Sequence, residues 1–318
     1  MKLVIAGGTG QVGSLVCRAL ARDGHDSIVL SRRAGPADSA NLAWDGRTLG
    51  PWVDALEGAD VLLNLAGYTV NCRYHRSNRE RILRSRIDST RVLGEAVGAC
   101  SRPPPIWLQA STATLYADRY DAPNDQANGV IGGAEPHVPD TWRFSIDVAT
   151  AWEQALDDAR TPHTRKVKLR SAMIMSPDPD GVFDVLLGLV RRGLGGRAGH
   201  GRQYVSWIHH EDFVRALHWL IEHGEVEGAV NLSAPEPLPY ADFMAALRGA
   251  WGIGFGLPAT RWMLELGALA LRTETELVLK SRRVVPGLLL RHGFHFRHAT
   301  WPDAARSLCE EWRVLREE

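Results

Sequence analysis

Lys2-Leu3-Val4-Ile5-Ala6-Gly7-Gly8-Thr9-Gly10-Gln11-Val12-Gly13 is the stretch on which the fold turns. Its first five residues have strand character, and the glycines then fall as G-x-x-G-x-x-G. Beyond them Val12, Leu15, Val16, Ala19 and Leu20 recur at helical spacing, which predicts a helix with one apolar face. Gly24 ends that helix, and Ser27 to Leu30 resumes an apolar strand. Strand, glycine turn, helix and strand form a βαβ unit. In such a unit the glycines let a pyrophosphate approach the main chain, and the helix N-terminal amides favour its charge. Gly7, Thr9, Gly10, Gln11, Val12 and Gly13 are therefore candidate cofactor-binding residues. A glycine turn that serves only strand–helix packing is the competing reading.

Working outward, Val61 to Gly67 reads as a further strand, Asn78 to Cys100 as a helix, and Ile106 to Ala110 as the strand after the Pro103-Pro104-Pro105 break. Ala117 to Asp140 has loop composition, Trp142 to Ala159 returns to helical spacing, and Val167 to Arg170 is another strand. Alternation of this kind predicts an α/β fold with a Rossmann-type doubly wound parallel sheet. We expect residues 1–176 to form the dinucleotide-binding domain and 177–237 to mix cap elements with a returning strand. Residues 238–318 would then form a smaller, mostly helical C-terminal region.

The end of the second strand selects the cofactor. An acid there would accept hydrogen bonds from the ribose of NAD, whereas this chain has Ser31-Arg32-Arg33. A hydroxyl followed by two guanidinium groups suits a 2′-phosphate, so NADP(H) is expected, with Ser31, Arg32 and Arg33 as contacts.

Lys+Arg and Asp+Glu cancel at 37 each, and the arginines are scattered, so nucleic acid is not an expected partner. Cys17, Cys72, Cys100 and Cys309 are widely spaced with no C-x-x-C pair, which predicts reduced thiols and a cytoplasmic home. No signal-peptide pattern precedes the first strand, and the apolar stretch Met263 to Leu271 is short and carries Glu265, so no membrane association is expected. His209-His210-Glu211-Asp212 invites a metal reading. Adjacent residues point apart, however, so no metal is expected, and a capping Asp with a buried His is the preferred reading. His292, His295 and His298 are read as structural.

Several motifs together resemble the extended short-chain dehydrogenase/reductases. They are Gly7 to Gly13, Asn64 to Gly67, Ser85-Arg86 with Ser89-Thr90-Arg91, Ala110 to Tyr116, and Gly201 to His209. With Ser281 to Pro286 and Gly293 to Phe296, the chain looks like the atypical epimerase-like subfamily of the NAD-dependent epimerase/dehydratase family, which carries a C-terminal domain of unknown function (DUF1731-like). The resemblance implies an oxidoreductase or epimerase-like activity on a small-molecule carbonyl or carbinol. It places Leu65, Ala66, Gly67, Arg86, Ala110, Ser171 and Met173 beside the cofactor, and makes Thr112 the substrate-orienting hydroxyl. Family members are often dimers, so a homodimer is the assembly it suggests.

The chain departs from that pattern where active members carry a Tyr with a Lys four residues later. Phe144 to Glu153 puts Ser145 and Ala149 at those positions. A serine hydroxyl is too weak an acid to act undriven. Tyr116 is the first substitute acid to consider, with packing as its competing role, and Tyr68 and Tyr74 follow. A non-catalytic NADP(H) sensor is the rival function.

Overall fold

The computed structural model describes residues 1–32, 40–260, 262–264 and 274–317. Strands β1 (Lys2–Ala6), β2 (Asp26–Ser31), β3 (Asn41–Ala43), β4 (Val61–Asn64), β5 (Ile106–Thr112) and β6 (Arg165–Ser171) alternate with helices α1 (Gln11–Arg22), α2 (Arg76–Ala99) and α3 (Asp140–Asp157). They continue through β7 (Met173–Met175), α4 (Val182–Arg191), β8 (Tyr204–Val205), β9 (Trp207–His209), α5 (His210–Glu222) and β10 (Gly228–Leu232). Then come β11 (Leu238–Pro239) and α6 (Tyr240–Trp251), followed by α7 (Glu276–Leu279), α8 (Gly287–Arg291) and α9 (Trp301–Glu317).

Seven strands form one parallel sheet in the order β3-β2-β1-β4-β5-β6-β10. The order reverses direction at β1 and β4, and crevices at such switch points are where α/β sheets bind ligands. Continuous apolar runs such as Val61–Leu63 are fully buried, because helices cover both faces. One core packs Leu15, Val16 and Leu20 of α1 and Phe213 and Leu217 of α5 on one face of the sheet. Another packs Val92, Leu93, Ala96 and Val97 of α2 and Leu156 of α3 on the opposite face.

A further core joins Phe183 and Leu187 of α4, Phe243 and Leu247 of α6, and Trp301, Leu308 and Trp312 of α9. Trp301 stacks on Phe243 at 3.9 Å and its Nε1 donates to the Phe243 carbonyl at 2.8 Å. This core draws on both 177–237 and 238–318. Lys280 to Val285 leaves it and threads between the loops at the C-terminal edge of the large sheet. There the Asn124 amide donates to the Arg283 carbonyl at 2.6 Å, the Val285 amide donates to the Asn124 carbonyl at 2.9 Å, and the Arg282 amide donates to the Tyr204 carbonyl at 2.8 Å. Among the described residues no helix is long and apolar enough to cross a membrane. Of the apolar stretch 263–271, residues 265–271 lie outside the described residues.

Candidate functional site

The β1–α1 turn is shaped by glycine. Gly7 has φ +81°, and a Cβ there would lie 2.9 Å from the backbone of Ala66. At Gly13 a Cβ would collide with the Gly7 carbonyl oxygen, so the turn closes only with hydrogen at both positions. Gly10 caps α1 with no side-chain hydrogen bond, and no acid sits in the first turn. The N-terminal amides beside exposed Thr9, Gly10 and Gln11 and half-buried Val12 thus face an open cradle suited to an anion. This arrangement fits a dinucleotide pyrophosphate.

Along the strand edge, Ser31 is buried at the end of β2 and Arg32 is exposed just beyond it, while Arg33 lies outside the described residues. Strand β4 stops at Asn64, earlier than expected, because the Asn64 side chain turns back to accept from the Ala66 amide at 3.0 Å. Its Nδ2 donates to Gln109 Oε1 at 3.0 Å, so Asn64 fixes the Leu65–Gly67 turn against β5 beside Ala110. Arg86 is bound to this same turn, donating to the carbonyls of Tyr68 and Ile82 at 3.0 Å each. Burial lowers its pKa to about 10. Ser171 ends β6, with its hydroxyl donating to the Leu169 carbonyl, and Met173 begins β7.

A cleft of about 270 Å³ opens at the C-terminal ends of β4 and β5. It is lined by Tyr74, Arg86, Ser111, Thr112, Ser145, Ala149, Glu274, Glu276 and Arg282, among others. Thr112 Oγ1 accepts from the Thr114 amide at 3.1 Å, which orients the hydroxyl and leaves its hydrogen to donate. Ala149, at the position the family resemblance gives to a Lys, presents only a methyl. Ser145 Oγ donates to Glu276 Oε2 at 2.5 Å. Glu276 is 4% exposed, and burial holds its carboxyl above the ordinary range. Burial likewise pushes the Tyr74 phenol up to about 12, with Glu276 adding to the rise and Ser145 opposing it. Lys280, 2% exposed, donates to the Thr114 carbonyl at 2.6 Å, and burial together with Arg282 pushes its ammonium down to about 8.

Tyr116 receives the packing role of the two considered for it. It is 2% exposed, its hydroxyl donates to Asn231 Oδ1 at 2.8 Å and accepts from Arg170 Nη1 at 3.0 Å, and it does not line the cleft. Burial raises its phenol pKa, which is the wrong direction for an activated acid. Arg170 belongs to the same buried network, donating to Glu153 from Nε at 2.9 Å and Nη2 at 2.8 Å. Ser111 donates to Glu153 at 2.6 Å. Trp207 is fully buried in the core. Tyr74 reaches the cleft, whereas Tyr68 lies under the guanidinium of Arg81 at 4.1 Å.

His209 and His210 do not point apart. Their rings stack at 4.5 Å, and both reach Glu311 of α9, at 3.4 and 2.8 Å. His209, at the N-cap of α5, accepts from the Glu211 amide and stacks on His298 at 3.7 Å. Adjacent residues converge here because one is the helix cap and the next opens the helix. His209, His210 and Glu311, and likewise His209, Glu211 and His298, bring their donor atoms within metal-binding distance of one another.

Of the charged residues lining the cleft, Glu276 goes unmarked in the sequence, and Arg282 enters there only within a domain signature. Nothing local marks Glu276 or Arg282 as part of the cleft.

A parallel sheet with this strand order, a glycine cradle at its switch point and a cleft at the strand ends define a Rossmann-type dinucleotide-binding protein. The chain belongs to the NAD dependent epimerase/dehydratase family, whose model matches residues 3–233, and residues 259–308 match a domain of unknown function (DUF1731). An epimerase family protein of Mycobacterium leprae is 31% identical over 95% of this chain and 94% of its own. The epimerase family protein SDR39U1 of Bos taurus is 28% identical over 98% and 99%. The crystal structure of human SDR39U1 with NADPH superposes with a TM-score of 0.85 at 26% identity, covering 98% of this chain and 99% of that one.

Proposed function

We propose that the chain is an NADP(H)-dependent oxidoreductase or epimerase-like enzyme that acts on a small carbonyl or carbinol compound in a reducing compartment such as the cytoplasm. The observation that carries this reading is the pair of hydroxyls, Thr112 and Ser145, lining one cleft at the strand edge beside the glycine cradle. That human SDR39U1 was crystallised with NADPH supports the choice of dinucleotide.

The Gly7–Gly13 turn and the α1 amides would hold the pyrophosphate, and Ser31 and Arg32 the 2′-phosphate. When bound, the dinucleotide supplies or accepts the hydride. Thr112 donates a hydrogen bond to the substrate oxygen and orients it. The apolar side of the cleft, formed by Phe144, Val148 and Trp152, keeps water away from the reacting atoms.

Titration of purified protein with NADPH and NADH, followed by Trp fluorescence, tests the reading. NADPH should bind the tighter. Arg32→Ala should weaken NADPH by about ten- to a hundredfold, the worth of a charged hydrogen bond of about 1.5–3 kcal/mol, and leave NADH nearly unchanged. Negligible binding of both would refute it.

A second reading, a dinucleotide sensor without turnover, is favoured by Ser145 and Ala149 on α3. It requires NADPH binding with no hydride transfer to any carbonyl in a broad panel.

A further inference from the structure

We propose that Glu276 and Ser145 form the proton-carrying pair of the cleft, with Glu276 storing the proton and Ser145 Oγ exchanging it with the substrate oxygen oriented by Thr112. The inference rests on the enzymatic reading above and adds to it the source of the proton.

Position is the first argument. Helix α3 aims Ser145 into the cleft, where it meets a carboxyl from the C-terminal region at 2.5 Å. The second argument is the state of that carboxyl. Glu276 Oε2 faces Ser145 Oγ, so a protonated Oε2 donates to Oγ while the Ser145 hydrogen turns to the Thr141 carbonyl at 3.2 Å or to the substrate, and Oε1 lies 3.6 Å from Arg282 Nη2. Arg282, Lys280 and Glu274 face it from its own segment, Tyr74 faces it from the loop after β4, and Arg86 lines the opposite wall from α2. Burial outweighs Arg282, Ser145 and Lys280 and keeps the carboxyl above its ordinary value of 4.5.

A serine hydroxyl alone is too weak an acid, and a neutral carboxyl hydrogen-bonded to it removes that weakness. In the reducing direction the Ser145 O–H bond breaks as the substrate oxygen takes its proton. Ser145 Oγ is reprotonated from Glu276, leaving a carboxylate beside Arg282. The electron pair is the one the reduced dinucleotide carries. In carbinol oxidation the proton runs the opposite way and ends on Glu276.

The test is an infrared titration of the protonated-carboxyl band of the full chain, with and without NADPH, in wild type, Glu276→Gln, Ser145→Ala and Ser145→Thr. We expect a band that persists above pH 4.5 and is lost in Glu276→Gln. Ser145→Ala should shift its midpoint, and Ser145→Thr should restore it. Titration of the band at or below 4.5 in wild type, or its survival in Glu276→Gln, would overturn the proposal. So would a midpoint indifferent to both Ser145 variants, which also settles the matter if Glu276→Gln does not fold. NADPH titration of the same wild-type sample separates the two levels of argument. Without binding, the dinucleotide-enzyme reading falls. With binding and an ionised Glu276, only the proton-carrying pair falls.

Discussion

Glu153 shows how much a single buried charge settles in this molecule. It is 7% exposed, takes two hydrogen bonds from Arg170 and one from Ser111, and so ties α3 to the ends of β5 and β6. Burial opposes its ionisation, but Arg170 and Ser111 overcome it and hold the carboxyl below the ordinary range. Glu153→Gln would keep the shape and strand the Arg170 guanidinium without a counter-charge. Breaking a buried pair in this way costs about 3–5 kcal/mol, to be read as a lowered urea midpoint with unchanged slope. The glycines are legible because a local pattern marks them, whereas Glu153 enters the sequence only as an alignment anchor and its pairing with Arg170 and Ser111 does not show there. The sequence could not disclose Glu276, whose partner Ser145 is 131 residues away, or Lys280, whose acceptor is 166 residues away. Neither periodicity nor spacing records such pairings.

Between elements, the contact of α5 with α9 is the one most sensitive to acid. Burial pushes the His209 imidazole below its ordinary 6.5. Burial opposes the ionisation of Glu311, yet the His209 imidazole at 3.4 Å and the hydrogen bond from His210 hold its carboxyl well below 4.5. Both folded-state values are depressed, so the stability they confer is present above the unfolded values and is lost as pH falls through the folded ones. Thermal melting should therefore decline below pH 6.5 as His209 is forced to charge, and again below 4.5 as Glu311 is protonated. Glu311→Gln should lower the melting temperature near neutrality and remove the second decline. The drop should be modest, on the scale of about 2–4 °C per kcal/mol, because Glu311 is 32% exposed and partly screened. The elements themselves are largely readable. The spacing from Asn78 to Cys100 predicts a helix and Arg76–Ala99 is one, because an apolar face repeats along it. The small pairs β7–β9 and β8–β11 are not readable, since strands of two or three residues carry no period to detect.

The whole molecule is held by a segment that belongs to neither layer of the sheet. Ser281, Arg282 and Val284 are at most 5% exposed, and Ser206 Oγ both donates to the Arg282 carbonyl at 2.6 Å and accepts from the Val284 amide at 2.8 Å. Asn231 Nδ2 donates to the Val285 carbonyl at 3.0 Å. A chain ended before Glu274 would keep every strand of the large sheet and leave these groups buried or newly wetted without partners. It should not unfold cooperatively, as the loss of a sharp near-ultraviolet dichroism transition would show. If the truncated protein melts as sharply as the full chain, the threaded segment is an accessory. The doubly wound architecture is legible from the alternation of strand and helix signals. The threading is not, because Lys280 to Val285 has neither strand nor helix periodicity and takes its course only from loops far away in sequence.

The threaded segment also sets an order of events during synthesis. Asn124, in the loop after β5, and Asn231, on β10, leave the ribosome long before Arg283 and Val285, so this edge of the fold is made early and completed late. Until the distal stretch emerges, the loop after β5 and the Asn231 side chain of β10 lack these partners and stay open to chaperones and to other growing chains, and ribosome stalling between residues 232 and 280 would yield an aggregation-prone intermediate rather than a finished first half.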